Sequence, residues 1–278
     1  MKYCVIFGTG SIAKRHAKIL NQKGIKCIAV SRSKKKKNKI FNNIIYYEEF
    51  PKYDPHFWLI CFPTSLHKKV CIDIINKSKN KKPIYCEKPG PNLIKRNYRI
   101  FVLYNLRYLK FLNKFKKNKN FFFHFVHKAN AKEWPSNENW KNRYMFVKEL
   151  GGGALKTNSH ELDLYYFLSG NKKIYVKKKY MRDKNGKKID YFYEANSSKN
   201  DLKIESSIIE KNPIRYVEIF NKLDKKIELN YVFYDKNKKI KIDNKLIQKT
   251  YIDMWKSLLE KRNVLLPKAH ETSWILDL

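Results

Sequence analysis

The first part of the chain alternates between short continuous apolar runs and longer segments with helical spacing. Five runs have the unbroken hydrophobicity of strands buried on both faces of a sheet: KYCVIFG, IKCIAVS, HFWLICFP, KPIYCEKP and RIFVLYN. Two segments between them place apolar residues three and four positions apart, which predicts helices: AKRHAKILNQKG and LHKKVCIDIINKS. Strands that alternate with helices predict a parallel sheet with right-handed crossovers.

After Asn120 the pattern changes to an alternation of apolar and charged residues. Such alternation predicts strands with one face in water: FFFHFVHK, KIYVKKKYM, LKIESSIIE, YVEIF and KKIELNYVFY. A later segment, TYIDMWKSLLEKR, has the spacing of an amphipathic helix. We therefore predict a second domain that is built largely on strands.

The first predicted strand runs into the sequence Gly-x-Gly-x-x-Ala, which begins at Gly8 and opens the first predicted helix. Gly8 permits a tight turn, Gly10 lets the backbone approach a pyrophosphate, and the small Ala13 lets the helix pack closely on the strand. The phosphates would lie at the helix N-terminus, beside Ser11 and Ile12. The motif predicts dinucleotide binding, and the alternative is a glycine turn without functional meaning.

The second predicted strand ends in Ser31 and Arg32, where an acidic residue would normally bind the ribose 2′-hydroxyl of NAD(H). A hydroxyl and a guanidinium suit a 2′-phosphate instead, which favours NADP(H) over NAD(H). The alternative is that Arg32 and the lysines at positions 34–37 form a solvated loop.

Composition indicates a globular chain. It has 278 residues, of which 43% are hydrophobic, which suits one large domain or two medium domains with a buried core. No apolar stretch approaches the ~18 residues of a membrane span, and the N-terminal run lacks the features of a signal peptide, which predicts a cytoplasmic protein. The five cysteines are odd in number and lack metal-binding spacing, which predicts reduced, buried thiols and no metal site.

The formal net charge of +36 would suit an anionic partner such as nucleic acid. The lysines are nevertheless spread along the whole chain with many Asn, Ile and Tyr residues, as the codon bias of an AT-rich genome would produce. Only SKKKKNK, from Ser33, is a compact basic block. Without a zinc-finger spacing, an RNA-binding aromatic motif or a basic zipper, we expect no specific nucleic-acid partner. A nucleic-acid binder is kept as an alternative.

Five segments, in order along the chain, resemble motifs of the Gfo/Idh/MocA oxidoreductases, named after glucose–fructose oxidoreductase, inositol dehydrogenase and MocA. The segments are GTGSIAKRH, CFPTSLH, CEKP, YNLRY and GGGALKTNSHELD. The resemblance implies an α/β Rossmann domain over residues 1–118 and an α+β domain with an open, mainly antiparallel sheet over residues 119–278. It also implies an NAD(P)-dependent oxidoreductase of a sugar or nucleotide sugar. In the family, the second sheet carries the substrate face and often the homo-oligomer contact.

The resemblance further implies roles for the glycine run at 151–153 and the helix after it. The glycines would let the backbone pass close to a nicotinamide, and His160 and Asp163 would share a helix face toward the cleft between the domains. Lys88 would approach from the other domain. Lys88 and His160 would then form a proton relay around a carbinol, with Asp163 orienting the imidazole. The alternative is a packing histidine hydrogen-bonded to Asp163.

The remaining site predictions fall into two groups. We expect further cofactor contacts from Pro63, Thr64, His67, Glu87 and Lys88. We expect substrate contacts from Asn105, Arg107, Trp134, Trp140, Tyr144, Thr157 and Asn158, the aromatic rings by stacking on a sugar. The alternative for the aromatic residues is a loop that packs on the sheet.

The chain departs from the family pattern at three places. Lys156, or Thr157 when counted from the glycines, stands where most members have an aspartate. Only GPNLIKRNYRIFVL separates EKP from YN, which predicts a helix trimmed to a turn, and Leu103 replaces the usual glycine there. The SHELD sequence resembles a subgroup often associated with surface-polysaccharide sugar metabolism. A catalytically degraded dinucleotide- or sugar-binding protein on the same fold is therefore the second interpretation.

Overall fold

The computed structural model describes residues 2–32, 39–92, 99–117, 120–134, 139–221, 231–232, 234–235, 238–239 and 243–278. The chain forms two compact units: unit 1 comprises Met1–Asn105 and Tyr251–Leu276, and unit 2 comprises Leu106–Thr250 and Asp277–Leu278. This division differs from the predicted one, whose boundary between 118 and 119 lies outside the described residues.

Unit 1 is built on a six-stranded parallel sheet. Its strands are β1 (Tyr3–Phe7), β2 (Lys26–Ser31), β3 (Asn43–Tyr46), β4 (Phe57–Ile60), β5 (Ile84–Cys86) and β6 (Ile100–Val102), in the order β3-β2-β1-β4-β5-β6. Helix α1 (Ser11–Gln22) connects β1 to β2, and α2 (His67–Lys77) connects β4 to β5. This is the strand order of a Rossmann sheet. The predicted fold class is confirmed, although the sequence analysis did not identify β3.

Unit 2 contains a second six-stranded sheet. Its strands are β7 (Phe121–Asn130), β8 (Ile174–Arg182), β9 (Lys188–Ser197), β10 (Leu202–Ser207), β11 (Ile209–Asn221) and β12 (Tyr231–Val232), in the order β12-β11-β7-β10-β9-β8. β10 pairs with β7 in parallel, and the other neighbours pair antiparallel. Strands β13 (Tyr234–Asp235) and β14 (Lys238–Lys239) form a separate hairpin. The mainly antiparallel sheet is confirmed; β9 was not predicted, and most of KKIELNYVFY lies outside the described residues.

Two helices pack on one face of the second sheet. α3 (Ala154–Thr157) contacts β9 and β10, and α4 (His160–Ser169) contacts β7 and β10. Phe123 and Phe125 are buried on β7, as the apolar alternation predicts. His127 on β7 and Arg215 on β11 are register partners. The polar side chains discussed below are therefore carried by regular, packed elements.

The predicted C-terminal helix is α5 (Asn244–Glu260), which α6 (Ala269–Thr272) follows. From Tyr251 onward these residues belong to unit 1. The Trp255 ring is fully buried and stacks on Phe57 with ring centroids 5.4 Å apart. Lys268 forms an isolated antiparallel bridge with Phe101 of β6. This packing explains why residues 251–276 belong to the Rossmann unit, whereas the sequence analysis placed them in the 119–278 domain.

Short 3₁₀ helices connect these elements, at Tyr47–Lys52, Thr64–Leu66, Asn105–Tyr108, Lys110–Phe115, Trp140–Asn142, Tyr144–Phe146, Lys148–Leu150 and Ser273–Leu276. The segment predicted to replace a family helix, GPNLIKRNYRIFVL, has residues 93–98 outside the described part. The five cysteines are free and buried. In the described ranges, no helix is long and apolar enough to cross a membrane, and no cluster of three or more His, Cys, Asp or Glu could hold a metal ion.

Candidate functional site

The turn between β1 and α1 requires its first glycine. Gly8 has a φ of 132°, and a Cβ there would lie 3.0 Å from the backbone oxygen of Cys61 at the end of β4. A side chain would therefore combine an unfavourable backbone conformation with a close contact. Ala13 is fully buried, as expected where the helix packs closely on the sheet.

The N-terminus of α1 is open. Gly10 is its N-cap, no side chain caps the helix there, and a Cβ on Gly10 would meet no atom within 4 Å. Ser11 and Ile12 follow in the first turn, whose amides have no acceptor within the helix. These amides suit an anionic ligand. The residues present therefore fit a dinucleotide pyrophosphate.

A cavity of about 240 Å³ lies beside the end of β2. It is lined by Ser31, Arg32, Tyr46, Tyr47, Glu48, Phe62, Leu66, Lys69 and Val70. The Arg32 guanidinium lies 5.3 Å from the centre of the Phe62 ring, and the Tyr47 hydroxyl donates to Asp73 at 2.7 Å. The structure thus brings Ser31 and Arg32 to one cavity. It adds Lys69, a cation of α2 that the sequence analysis missed because lysines are common along the whole chain.

The CFPTSLH segment forms the loop after β4 and contains one buried histidine, His67. Pro63 precedes the 3₁₀ turn that contains Thr64, and His67 begins α2. The His67 ring lies with Nδ1 2.9 Å from the Pro89 carbonyl oxygen and Nε2 2.9 Å from that of Phe62. Burial lowers the pKa of His67 despite these two carbonyls. His67 therefore joins two loops, and a direct cofactor contact through its ring would have to replace one of these bonds.

Glu87 and Lys88 follow β5 and differ in exposure. The buried Glu87 carboxylate lies with Oε1 2.8 Å from His16 Nε2, while Oε2 accepts the Lys88 backbone N–H at 3.2 Å. Burial alone would raise the pKa of Glu87, but the His16 bond and the Lys88 charge hold it below its ordinary value. The carboxylate thus accepts a hydrogen bond from the backbone of the turn that carries Lys88. The Lys88 side chain is partly exposed.

The glycine run before α3 is explained by contacts inside unit 2. A Cβ on Gly152 would lie 2.5 Å from the Tyr144 oxygen and 2.7 Å from that of Met145. Gly153 has a φ of 122°, and a Cβ there would collide with the Asp190 carboxylate, which also accepts the Leu155 N–H at 2.8 Å. Packing therefore requires small residues here, and the approach to a nicotinamide stays a prediction.

Replacing Gly152 with Ala is expected to lower the free energy of unfolding by about 1–3 kcal/mol, the usual cost of overpacking. Two backbone carbonyl groups would have to move to admit the methyl group. Gly10→Ala is the matched control, because its φ of −72° suits any residue and its surroundings are open. Urea denaturation measures both variants, and equal midpoints would contradict this explanation.

The junction between α3 and α4 is buried against the sheet. The Asn158 amide donates to the Ser206 hydroxyl at 2.9 Å and to the Ser207 carbonyl at 3.2 Å, and the Tyr193 hydroxyl donates to the Asn158 carbonyl at 2.8 Å. Asn158 is fully buried and Thr157 is 4% exposed. Asn158 therefore ties the junction to β9 and β10, and a substrate contact through its amide would have to compete with these bonds.

Asp163 forms a buried ion pair with Arg107, which the sequence analysis did not predict. Both of its oxygens accept from Arg107, Oδ2 from Nε at 2.9 Å and Oδ1 from Nη2 at 2.7 Å, and Asp163 is 1% exposed. The Arg107 guanidinium also lies 4.9 Å from the centre of the Phe167 ring. Two residues with separate predicted roles, orienting His160 and binding substrate, thus form one buried ion pair. His160 begins α4 and is 7% exposed.

Glu161 is a polar residue of this region that the sequence analysis missed. Its Oε1 accepts from Arg215 Nε at 3.0 Å and Nη2 at 2.6 Å, and lies 3.3 Å from His127 Nδ1. Burial would raise the pKa of Glu161, but the charges of Arg215, His127 and His160 hold it well below its ordinary range. Glu161 is therefore a buried carboxylate that interacts electrostatically with His160. Its place beside His160 in SHELD was the available signal.

The aromatic residues expected to stack on substrate have mixed surroundings. Trp134 is 38% exposed, and the residues after it, 135–138, lie outside the described part. The Trp140 ring packs edge-on against Phe146 and has Lys132 Nζ 4.7 Å from its centre. Tyr144 is partly exposed in a 3₁₀ helix, whereas Asn105 is 1% exposed. The substrate contacts of these residues stay predictions.

A comparison with protein families identifies the same Rossmann fold in the first part of the chain. Residues 2–95 match the family described as "Oxidoreductase family, NAD-binding Rossmann fold", which is Gfo/Idh/MocA. A sequence comparison with curated proteins finds no match.

Solved structures share the fold over nearly the whole chain. A "probable dehydrogenase" from Thermotoga maritima aligns with a TM-score of 0.68 and 16% identity, over 99% of this chain and 93% of that one. An oxidoreductase from the same organism aligns with a TM-score of 0.68 and 14% identity, over 99% and 94%. The transcriptional regulator Gal80p from Kluyveromyces lactis aligns with a TM-score of 0.58 and 10% identity, over 93% and 83%. At these identities the likeness shows the fold alone.

The family motifs in the sequence, the Rossmann strand order and the match over residues 2–95 lead to one conclusion. Residues 2–95 match the NAD-binding Rossmann domain of the Gfo/Idh/MocA oxidoreductase family, and the second sheet follows as in the solved structures of this fold.

Proposed function

We propose that this protein is an NADP(H)-preferring oxidoreductase that interconverts a carbinol and a keto carbon of a sugar or nucleotide sugar. The observation that supports it most directly is the open N-terminus of α1 after Gly8 and Gly10, in a unit that matches the family. The sugar, and a place in surface-polysaccharide metabolism, come from the sequence resemblance.

In the proposed complex, the amides of Ser11 and Ile12 bind the pyrophosphate at the N-terminus of α1. Arg32 and Lys69 both line the cavity beside the end of β2 and provide two cations for a 2′-phosphate. The Ser31 hydroxyl, in the same cavity, can bind the same phosphate. Glu48 also lines this cavity, which leaves a net charge of one positive unit among these three ionised side chains. That balance favours the phosphorylated ribose of NADP(H).

The chemical step needs a hydride carrier and a proton carrier. The nicotinamide, when bound, supplies or accepts the hydride. We assign the proton to His160, whose imidazole takes it from the substrate hydroxyl during oxidation and returns it to the carbonyl oxygen during reduction. The Lys88 ammonium donates a hydrogen bond to the same oxygen and stabilises its developing negative charge.

The cofactor preference is tested by replacing Arg32 with Asp. We expect this change to weaken NADPH binding relative to NADH binding by about 1–3 kcal/mol, the scale of a charge-assisted hydrogen bond. Nicotinamide fluorescence titration gives both dissociation constants. Lys52→Asp, an exposed position of unit 1, controls for the change in net charge. Equal affinity of the unsubstituted protein for NADPH and NADH would remove the preference.

A non-catalytic dinucleotide- or sugar-binding protein is the second candidate. Lys156 and Thr157 stand where most family members have an aspartate, and a transcriptional regulator, Gal80p, has the same fold. The two candidates differ in turnover. Incubation with NADP⁺ or NADPH and a panel of free hexoses, sugar acids and nucleoside-diphosphate sugars, or their keto forms, should change nicotinamide absorbance if the first is right. Cofactor binding without turnover across the panel would favour the second.

A further inference from the structure

A chain of buried hydrogen bonds links the C-terminal helix to the turn that carries Lys88. Trp255 Nε1 on α5 donates to His16 Nδ1 on α1 at 2.8 Å, and His16 Nε2 lies 2.8 Å from Glu87 Oε1. Glu87 Oε2 accepts the Lys88 backbone N–H at 3.2 Å. Trp255 and His16 are fully buried, and Glu87 is 6% exposed. All four residues belong to unit 1.

The first bond of this chain determines where the His16 proton lies. An indole N–H can only donate, so His16 Nδ1 must accept and cannot carry a proton. The imidazole is therefore neutral and carries its single proton on Nε2, where it donates to Glu87. The close contact between His16 and Glu87 is thus a hydrogen bond from a neutral ring to a carboxylate and not an ion pair. In the other tautomer, the Nδ1–H would point at the indole N–H of Trp255, and the unprotonated Nε2 would face the Glu87 oxygen, so neither hydrogen bond could form.

Aromatic packing holds both rings in place. The Trp255 ring stacks on Phe57, and Tyr85 meets it edge-on with ring centroids 5.7 Å apart. The Tyr251 ring meets the His16 imidazole edge-on at 5.3 Å. Neither ring can turn to another hydrogen-bond partner without disturbing this packing, so the tautomer is determined by structure.

We propose that Trp255 and His16 are positioning residues for Lys88, acting through the Glu87 carboxylate. Trp255 selects the His16 tautomer, and that tautomer holds the Glu87 carboxylate with Oε1 toward His16 and Oε2 on the Lys88 backbone N–H. The ionised carboxylate in turn favours the charged form of the neighbouring Lys88 ammonium. The catalytic importance of Lys88 rests on the proposed function, whereas the tautomer of His16 and the charge of the Lys88 ammonium do not.

Replacing Trp255 with Phe tests this, because it removes the donor and keeps a stacking ring. In ¹⁵N-histidine spectra of the whole protein without cofactor, we expect the His16 nitrogens to change from one tautomer to a mixture. Acetic anhydride labelling of Lys88, followed by mass spectrometry, reports its uncharged fraction. Once the His16 ring no longer donates steadily to Glu87, the carboxylate is not held in place beside the Lys88 turn, so labelling at a fixed pH below the Lys88 midpoint should rise, by about tenfold for each unit by which the Lys88 pKa falls.

Trp58→Phe is the matched control. Trp58 is a buried indole of the same unit, 1% exposed, whose Nε1 has no hydrogen-bond partner among the described residues. The Trp58→Phe variant should leave the His16 signals and the Lys88 labelling unchanged. His16→Leu, which assigns the signals and has neither the acceptor for Trp255 nor the donor for Glu87, should raise Lys88 labelling even if Trp255→Phe does not fold.

The proposal is wrong if Trp255→Phe, or His16→Leu where only that variant folds, labels like Trp58→Phe. It is equally wrong if a folded Trp255→Phe variant keeps the original tautomer. If the tautomer and the labelling change as expected but the unsubstituted protein turns over no substrate, the proposed function fails and this inference stands.

Discussion

Replacing Asp163 with Asn is expected to lower the free energy of unfolding by about 3–5 kcal/mol, the usual cost of removing one partner of a buried ion pair. Both Asp163 oxygens accept from Arg107, and the two side chains are 1% and 7% exposed. In the variant, the buried guanidinium would face a neutral amide that can accept at only one atom. Urea denaturation of the whole protein measures the change.

Two comparisons make this test specific. Glu149→Gln removes one partner of an exposed pair in unit 2, with Lys187, and should change stability little, because solvent screens such pairs. Replacing both Arg107 and Asp163 with Met and Leu should recover much of the loss, since no buried charge then lacks a counter-charge. If Asp163→Asn unfolds at the same urea concentration as Glu149→Gln, the Arg107 pair does not stabilise unit 2.

The proposed chemistry predicts a loss of turnover in two further variants. Lys88→Ala and His160→Ala should each reduce the rate of the chemical step by roughly 10²–10⁴-fold, the contribution of a positioned acid–base group. Dinucleotide affinity should change little, because the α1 amides and the Arg32 cavity are untouched. The measurements are single-turnover kinetics with a substrate from the sugar panel and fluorescence titration with NADPH.

Exposed residues of the same types serve as controls. Lys52→Ala and His56→Ala remove exposed side chains of unit 1 and should keep the full rate. If His160→Ala transfers hydride at the unsubstituted rate, His160 is a packing residue. If Lys88→Ala does so as well, the relay is wrong.

Glu161 shows how far the candidate site could be predicted. The sequence analysis placed His160 and Asp163 on a helix that follows the glycine run, and the structure has both residues on α4. The SHELD motif also suggested Asp163 as the partner of His160, because residues three apart share a helix face. In the structure Asp163 forms an ion pair with Arg107, and Glu161, bound to Arg215, interacts electrostatically with His160.

The sequence by itself determined the parallel sheet of unit 1, the glycine turn after β1 and the stranded character of unit 2. These features depend on contiguous residues, because burial on one or both faces of a strand repeats along a short segment. Only the tertiary structure decided the partners of the buried polar groups. Arg107 and Asp163 are 56 positions apart, Glu161 and Arg215 are 54 apart, and His16 and Trp255 are 239 apart. No local pattern specifies such pairs, since they form only where separate elements pack together and exclude water from both groups.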